Sequence, residues 1–197
     1  MYRNSPNLYL KGFQMIRKDI DDPGTRGLCM FLRKNIHWSI QDLGDISHPS
    51  LETLGICVNI NDSPCLIVNI YRHPGVTIPL SIFERLLNLH NKFHQIILVG
   101  DFNAHHMYWH NTYEDGAGRL LAKAIDRQNL VILNDNSPTL ILPPGSRDSI
   151  IDLAIVSPGL APLCSTGVID DGWGSDHRPV VTSLNGIIKS QRRFVYR

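Results

Sequence analysis

Four clusters in the 197-residue chain combine residue types that do chemistry. The first is Gly100-Asp101-Phe102-Asn103-Ala104-His105-His106. In an extended chain Asp101 and Asn103, two apart, point to the same side, and Gly100 permits a close backbone approach. The plainer alternative is an Asx turn with no further role. The second cluster is Gly174-Ser175-Asp176-His177-Arg178-Pro179, an acid beside a histidine at a strand entrance, or else an ordinary surface loop. In the third, Asp152 interrupts the apolar run Ile150-Ile151-Asp152-Leu153-Ala154-Ile155-Val156. A carboxylate there is costly to bury without a partner, and a histidine suits best, because the acid fixes the imidazole tautomer and stabilises its charged form. The fourth is Tyr71-Arg72 at the end of the run 66–72, where a tyrosine packs unless the other clusters meet it. An acid, an amide, a buried acid, an acid–histidine pair and a phenol suit phosphodiester hydrolysis. A carboxylate aligns water, His⁺ and Asn neutralise transition-state oxygens, and a metal held by carboxylates stabilises the leaving oxygen.

These clusters need elements to position them. Runs 26–33, 54–61 and 66–72 are apolar and β-branched, and Asn61-Asp62-Ser63-Pro64 reads as a hairpin turn. The period then changes: Ser81 can cap a helix whose Ile82, Phe83, Leu86, Leu87, His90 and Phe93 share one side. Run 95–99 is a buried strand leading into the first cluster, and open α/β sheets place ligands at such C-terminal ends. A second helix starts near Asp115, with Ala117, Leu120, Leu121, Ala124 and Ile125 on one face. Further strands are expected at 130–133, 139–142, 150–156 and 179–184. Many strands with two clear helices imply layered α/β, with helices covering sheets.

Composition bounds the rest. With 19 Lys+Arg against 18 Asp+Glu and a net charge of +1, the chain is not a generally basic binder, although a local basic groove remains open. Its 43% hydrophobic content fits one folded domain and excludes collagen, coiled coil and wholesale disorder. The longest apolar run, 28–32, is far short of the ~18 residues a membrane span needs. The opening Met1-Tyr2-Arg3-Asn4-Ser5-Pro6 lacks the pattern of a secretory leader. An intracellular location, nuclear or cytoplasmic and not secreted, is therefore expected, with reduced cysteines. Cys29, Cys57 and Cys65 sit in apolar stretches as core thiols do. Lys189, Arg192, Arg193 and Arg197 crowd the end, so a domain at 1–186 and a basic tail or linker at 187–197 are expected, the tail either solvated or touching phosphates.

The three motifs in this order, Gly-Asp-Phe-Asn-Ala-His-His, Ile-Asp-Leu-Ala-Ile-Val-Ser and Ser-Asp-His-Arg-Pro-Val, resemble the endonuclease/exonuclease/phosphatase superfamily. That superfamily includes deoxyribonuclease I and the apurinic/apyrimidinic endonucleases, and the nearest likeness is to the endonuclease domain of non-LTR (LINE-type) retrotransposons. The resemblance runs from about Phe13 to Leu184. It implies a layered α/β sandwich of the deoxyribonuclease I-like type, two packed and mainly antiparallel sheets flanked by helices. It also implies a Mg²⁺- or Mn²⁺-dependent endonuclease that nicks target DNA. By position, Asp101 would align or deprotonate water and Asn103 would contact the phosphate. His177, oriented by Asp152, would bind the scissile phosphate, Tyr71 would donate to a phosphate oxygen, and Asp176 would lie beside the metal. Residues 140–149 would form a hairpin on the DNA, with Pro143-Pro144-Gly145 at its tip and Arg147 at a phosphate. Arg72, Ser149, Ser175 and Arg178 complete the implied nucleic-acid contacts. DNA is the implied partner, a reverse transcriptase domain would follow in a full element, and no membrane is involved.

The chain departs from the pattern in two places. Residues 71–75 read Tyr-Arg-His-Pro-Gly, where these elements commonly have Tyr-Arg-Pro-Pro. The family's opening strands, one with an Asn near the phosphate and the next with the Glu that is its chief metal ligand, have no counterpart. Lys11-Gly12-Phe13-Gln14 resembles the segment after that Glu, and the first Glu in the chain is Glu52. The resemblance thus implies a domain lacking its N-terminal part, with weakened metal binding and catalysis. Beside the nuclease stand a phosphatase of the same superfamily and a non-catalytic nucleic-acid-binding remnant.

Overall fold

The computed structural model describes residues 8–20 and 27–188; the basic residues Lys189, Arg192, Arg193 and Arg197 lie outside them. An antiparallel ribbon comes first, β1 (Phe13–Asp19) with β2 (Gly27–Arg33). Next come β3 (Trp38–Gln41), β4 (Leu51–Ile60) and β5 (Ser63–Arg72). Two short helices, α1 (Leu80–Leu87) and α2 (Leu89–Phe93), lead to β6 (Gln95–Asp101). Helix α3 (Gly116–Gln128) precedes β7 (Val131–Ile132) and β8 (Asp152–Val156). A second antiparallel ribbon, β9 (Cys164–Val168) with β10 (Val180–Leu184), ends the fold. The central sheet has six strands in the order β3-β4-β5-β6-β8-β7, with β5 and β6 parallel and its other pairs antiparallel.

Strand alternation gives this sheet two apolar faces. On one, Leu66, Val68 and Ile70 of β5 and Ile96 and Leu98 of β6 pack against Phe83, Leu86 and Leu87 of α1 and Leu121 and Ile125 of α3. On the other, Leu54, Ile56, Val58 and Ile60 of β4, with Cys65, Ile97 and Val156, pack against Ile16 of β1 and Leu32 of β2, while Cys164 and Leu184 of the second ribbon close the far side. The result is helices, sheet, ribbons.

The local signals explain most boundaries. Asn61 and Asp62 both take positive φ (50° and 63°) between the paired Ile60 and Ser63, the two-residue turn that matches strand twist. Asp115 caps α3, accepting from Gly118 N at 2.6 Å, and Asn129 ends it in the left-handed region. Ser81, however, does not cap α1. Pro79 holds that position without a side-chain hydrogen bond, Ser81 lies inside the helix, and the expected single helix breaks at Asn88. Residues 139–142 are not a strand; an isolated bridge joins Leu140 to His177. Nor is Cys29 a core thiol, since it is exposed while Cys65 is buried; all four cysteines are free. The fold also reaches past 186. Asn61 N donates to Ile187 O and Ile187 N to Asn61 Oδ1, each at 2.9 Å, so the expected tail begins with residues docked on the β4–β5 turn.

Candidate active site

The site lies where the ribbon-facing side of the sheet turns from apolar to polar. Glu52 of β4 is paired with Tyr71 of β5, Tyr71 with Asp101 of β6, and Asp101 with Asp152 of β8. Four neighbouring strands thus carry one polar row, level across the sheet. Gly100 keeps the row tight, because a Cβ on it would lie 2.0 Å from Ile70 O. Two open clefts adjoin here and share Asn69, Gly100 and Asp152. One, of about 520 Å³, includes His177, Ser175 and Trp173. The other, of about 650 Å³, includes Glu52, Tyr71, His73 and Asp101.

Asp152 has the partner its surroundings demand. His177 Nδ1 lies 2.8 Å from Asp152 Oδ2, which leaves Nε2 without a partner among the described residues. The pairing depends on residues that sequence reasoning missed. Thr139 Oγ1 accepts from Ile151 N and Asp152 N at 3.0 and 3.1 Å, and Asn134 holds Asp152 O and Ala154 N at 2.9 and 2.8 Å. Thr139 O then accepts from Arg178 N, and Ile141 N donates to Asp176 O, each at 2.7 Å. The 139–141 segment therefore straps the histidine loop onto the start of β8. Desolvation, the largest influence on His177, favours its neutral form. The hydrogen bond and charge of Asp152, with Asp101 and Asp176, together outweigh it and raise the imidazole above its ordinary pKa.

Asp101 sits between these groups. Burial pushes its carboxyl up to about 6; the charge of Asp152 adds to this, while hydrogen bonds from Asn103 and the charge of His177 oppose it. Asp101 and Asn103 form the Asx turn rather than an extended pair: Asn103 takes φ 44°, and its N and Nδ2 donate to the two Asp101 oxygens at 2.8 and 2.7 Å. The other Asn103 amide hydrogen goes to Arg72 O at 2.8 Å. With both hydrogens committed, Asn103 positions Asp101 rather than offering a free donor to a phosphate. Phe102, between them, and Ala104, after them, enter the helix-side core and are both fully buried.

Glu52 was overlooked in the sequence. It is 3% exposed, meets His73 Nε2 at 2.9 Å, and shares the second cleft with Asp101. His73 stands edge-on to the Tyr71 ring at 5.0 Å, so the unusual histidine of the Tyr-Arg-His-Pro-Gly segment is part of the site. The signal was present: an acid near the start of the apolar Leu51–Ile60 strand is as expensive to bury as Asp152.

Several expected nucleic-acid contacts are not available. Arg72 is 3% exposed and donates to Phe102 O at 2.7 Å, to Val76 O at 2.6 Å and to Asn103 O, so its guanidinium braces the Asp101 loop from below. Ser149 is also 3% exposed, with its hydroxyl 2.9 Å from His105 Nε2. Arg178 binds Asp170 Oδ1 at 3.0 Å and leans on the carbonyls of Pro138 and Leu140; it clamps the histidine loop. Arg147 is exposed beside the Tyr113 ring at 5.7 Å, on a loop closed at its base by Thr139 N and Leu140 N to Ser149 O. The tip turns at Pro143–Ser146 with Gly145 at φ 87°, as the Pro-Pro-Gly sequence suggests. Ser175 and Asp176 are exposed on the histidine loop, and Ser175 Oγ accepts from His177 N at 3.0 Å.

A mixed sheet between helices and ribbons, with an acid row and an acid-held histidine at one end, defines the deoxyribonuclease I-like class of hydrolase folds. Solved structures share it. The chain superposes on the endonuclease domain of TRAS1, a telomere-specific non-LTR retrotransposon, with a TM-score of 0.71 and 20% identity, covering 89% of this chain and 81% of that one. The AP endonuclease LMAP from Leishmania major gives 0.62 and 14%, covering 86% and 69%. A 3′ phosphatase from Neisseria gives 0.60 and 15%, covering 88% and 79%. A family model described as endonuclease-reverse transcriptase matches residues 65–181, and the chain belongs to that family. It is also 26% identical over 171 residues to a probable RNA-directed DNA polymerase from transposon BS of Drosophila melanogaster, covering 85% of this chain. The chain spans 18% of that relative's length. Among the described residues, no helix is long and apolar enough to cross a membrane.

Proposed function

We propose that this chain cuts a phosphodiester bond in DNA, as the nicking module of a retrotransposon protein whose reverse transcriptase lies in a separate, C-terminal part. What supports it most is the row Glu52–Tyr71–Asp101–Asp152 across four paired strands with His177 held on Asp152. A carboxyl group with a pKa near 6 is matched to taking a proton from water near neutral pH. The His177 imidazolium, with Nε2 open, would neutralise charge on the phosphate, and Asp152 would fix its tautomer. Tyr71 would donate to a phosphate oxygen, and Asn103 with Arg72 would hold Asp101 in place. Arg147 and the exposed 141–148 loop would follow the DNA beyond the cleft.

Mg²⁺, or Mn²⁺ in its place, needs only one or two carboxylates besides water and phosphate oxygens. Glu52 and Asp101 face one cleft and fit that demand, and Asp176 beside His177 is a further candidate. When bound, the ion stabilises the oxygen that leaves. The test is nicking of supercoiled plasmid across a Mg²⁺ titration with a chelator control. Wild type nicks, whereas Asp101→Ala and His177→Ala each lose at least ~10² in rate; nicking unchanged in both variants would refute the reading. A second reading, DNA binding without cleavage, is favoured by one observation: Glu52 is 3% exposed and held by His73 at 2.9 Å, which suits a structural role as well as a metal ligand. Salt-sensitive DNA binding with no nicking at any Mg²⁺ concentration would identify it.

A further inference from the structure

Trp173 is the most exposed large apolar residue beside the site, 72% open to solvent. It lines the same cleft as Asp152, Ser175 and His177 and stands four residues before His177. Its backbone adopts φ 45°, which is uncommon for a bulky residue and persists only where the surroundings enforce it. Here they do. Ser175 N donates to Gly172 O at 2.8 Å, closing a turn with Trp173 and Gly174 at its centre. Trp173 N donates to Asp171 Oδ1 at 2.8 Å, and a side chain on Gly172 would press on Ser175 O and Ile141 Cδ1, at 2.6 and 2.8 Å. The base of the loop is closed by Ile169 N to Pro179 O at 2.9 Å and by the Asp170–Arg178 ion pair. Indole and imidazole are thus carried on one braced loop, a flat apolar face at a fixed offset from a phosphate-directed donor.

A base joined to a phosphate has that pairing of chemistries. We propose that Trp173 is a nucleobase subsite, stacking on an unpaired or unstacked base next to the phosphate that His177 engages. The inference rests on the nuclease reading above. Every base offers a π-face, so the subsite holds the nucleotide in register without choosing a sequence. Its occupant is single-stranded or locally opened DNA rather than intact duplex, in which both base faces are already stacked.

The full chain, in chelator so that nothing is cut, is titrated with a short single-stranded deoxyoligonucleotide. Indole emission, against the background of the buried Trp109 and the half-buried Trp38 read from Trp173→Ala, and fluorescence anisotropy of a labelled strand are both followed. Wild type should quench on binding, and Trp173→Ala should bind about tenfold more weakly. Trp173→Phe should recover most of that affinity, and with a fully abasic strand of the same length wild type and Trp173→Ala should bind alike. Because Trp173 is exposed, neither variant removes core packing. Equal binding of the normal strand by wild type and Trp173→Ala overturns the subsite alone and leaves a docking role toward another protein. A Trp173→Ala loss that persists on the abasic strand also overturns it. No binding by wild type overturns the subsite, while the nuclease reading stands or falls on plasmid nicking in Mg²⁺.

Discussion

Two of the acid–imidazole couples among the described residues are built alike and placed differently. His177 Nδ1 meets Asp152 at 2.8 Å, and His105 Nδ1 meets Asp115 at 3.0 Å. The second couple even continues to a hydroxyl, with His105 Nε2 at 2.9 Å from Ser149 Oγ, the connectivity of a nucleophilic triad. Yet Ser149 is buried, Asp115 also caps α3, and the His105 ring is stacked on Tyr113 at 4.6 Å. Every polar atom of that triad has a structural partner, and no reactant can approach the hydroxyl. His177 is held equally well but keeps one nitrogen open on a cleft. Pairing orders an imidazole; only an unpaired second nitrogen with access to substrate makes it reactive.

The two histidines should differ most in their effect on rate. His177→Ala should cost at least ~10² in nicking per folded molecule, together with some stability because Asp152 loses its partner. His105→Ala should instead act mainly on the fold, costing about 1–3 kcal/mol through the buried Ser149 hydroxyl it leaves unpaired. Its rate per folded molecule should stay within a few-fold of wild type. Plasmid nicking beside urea denaturation of both variants reads the contrast, and loss of rate in His105→Ala at full folding would erase it.

A pH profile sharpens the same point. Nicking should rise as Asp101 ionises near pH 6 and fall at higher pH as His177, raised above its ordinary value, loses its proton. In kcat/KM the alkaline limb should disappear in His177→Ala and persist in His105→Ala. A smaller effect lies in stability. Asp101 has a higher pKa folded than unfolded, so the fold binds the extra proton between pH ~4 and ~6 and loses stability as pH rises through that window. Removing the charge in Asp101→Asn should flatten this slope, a difference on the order of 1 kcal/mol after solvent screening, measurable by denaturation at pH 4.5 and 7.

Residues with a local reason to be where they are were legible from the sequence. Asp152 in an apolar run calls for a partner, a helix starts near Asp115, and Asn61-Asp62 reads as a hairpin turn. Glu52 carries the same signal, an acid inside the apolar Leu51–Ile60 strand, which is costly to bury without a partner. Arg72, Ser149 and Arg178 resemble phosphate ligands by charge and position. Their true partners are carbonyls and side chains brought near only by the closed fold. The ribbons were half hidden as well. Cys164–Val168 contains Ser, Thr and Gly with little alternation, and its pairing with β10, not its own pattern, makes it a strand.

Which imidazole meets the phosphate is read by NMR of the folded chain, on adding a duplex with a non-hydrolysable phosphate analogue at the cleavage site. His177 resonances should shift on binding and its pKa should rise further, while those of His105 stay in place. Shifts at His105 with none at His177 would contradict the account, because the sealed couple would then be the one that meets the phosphate.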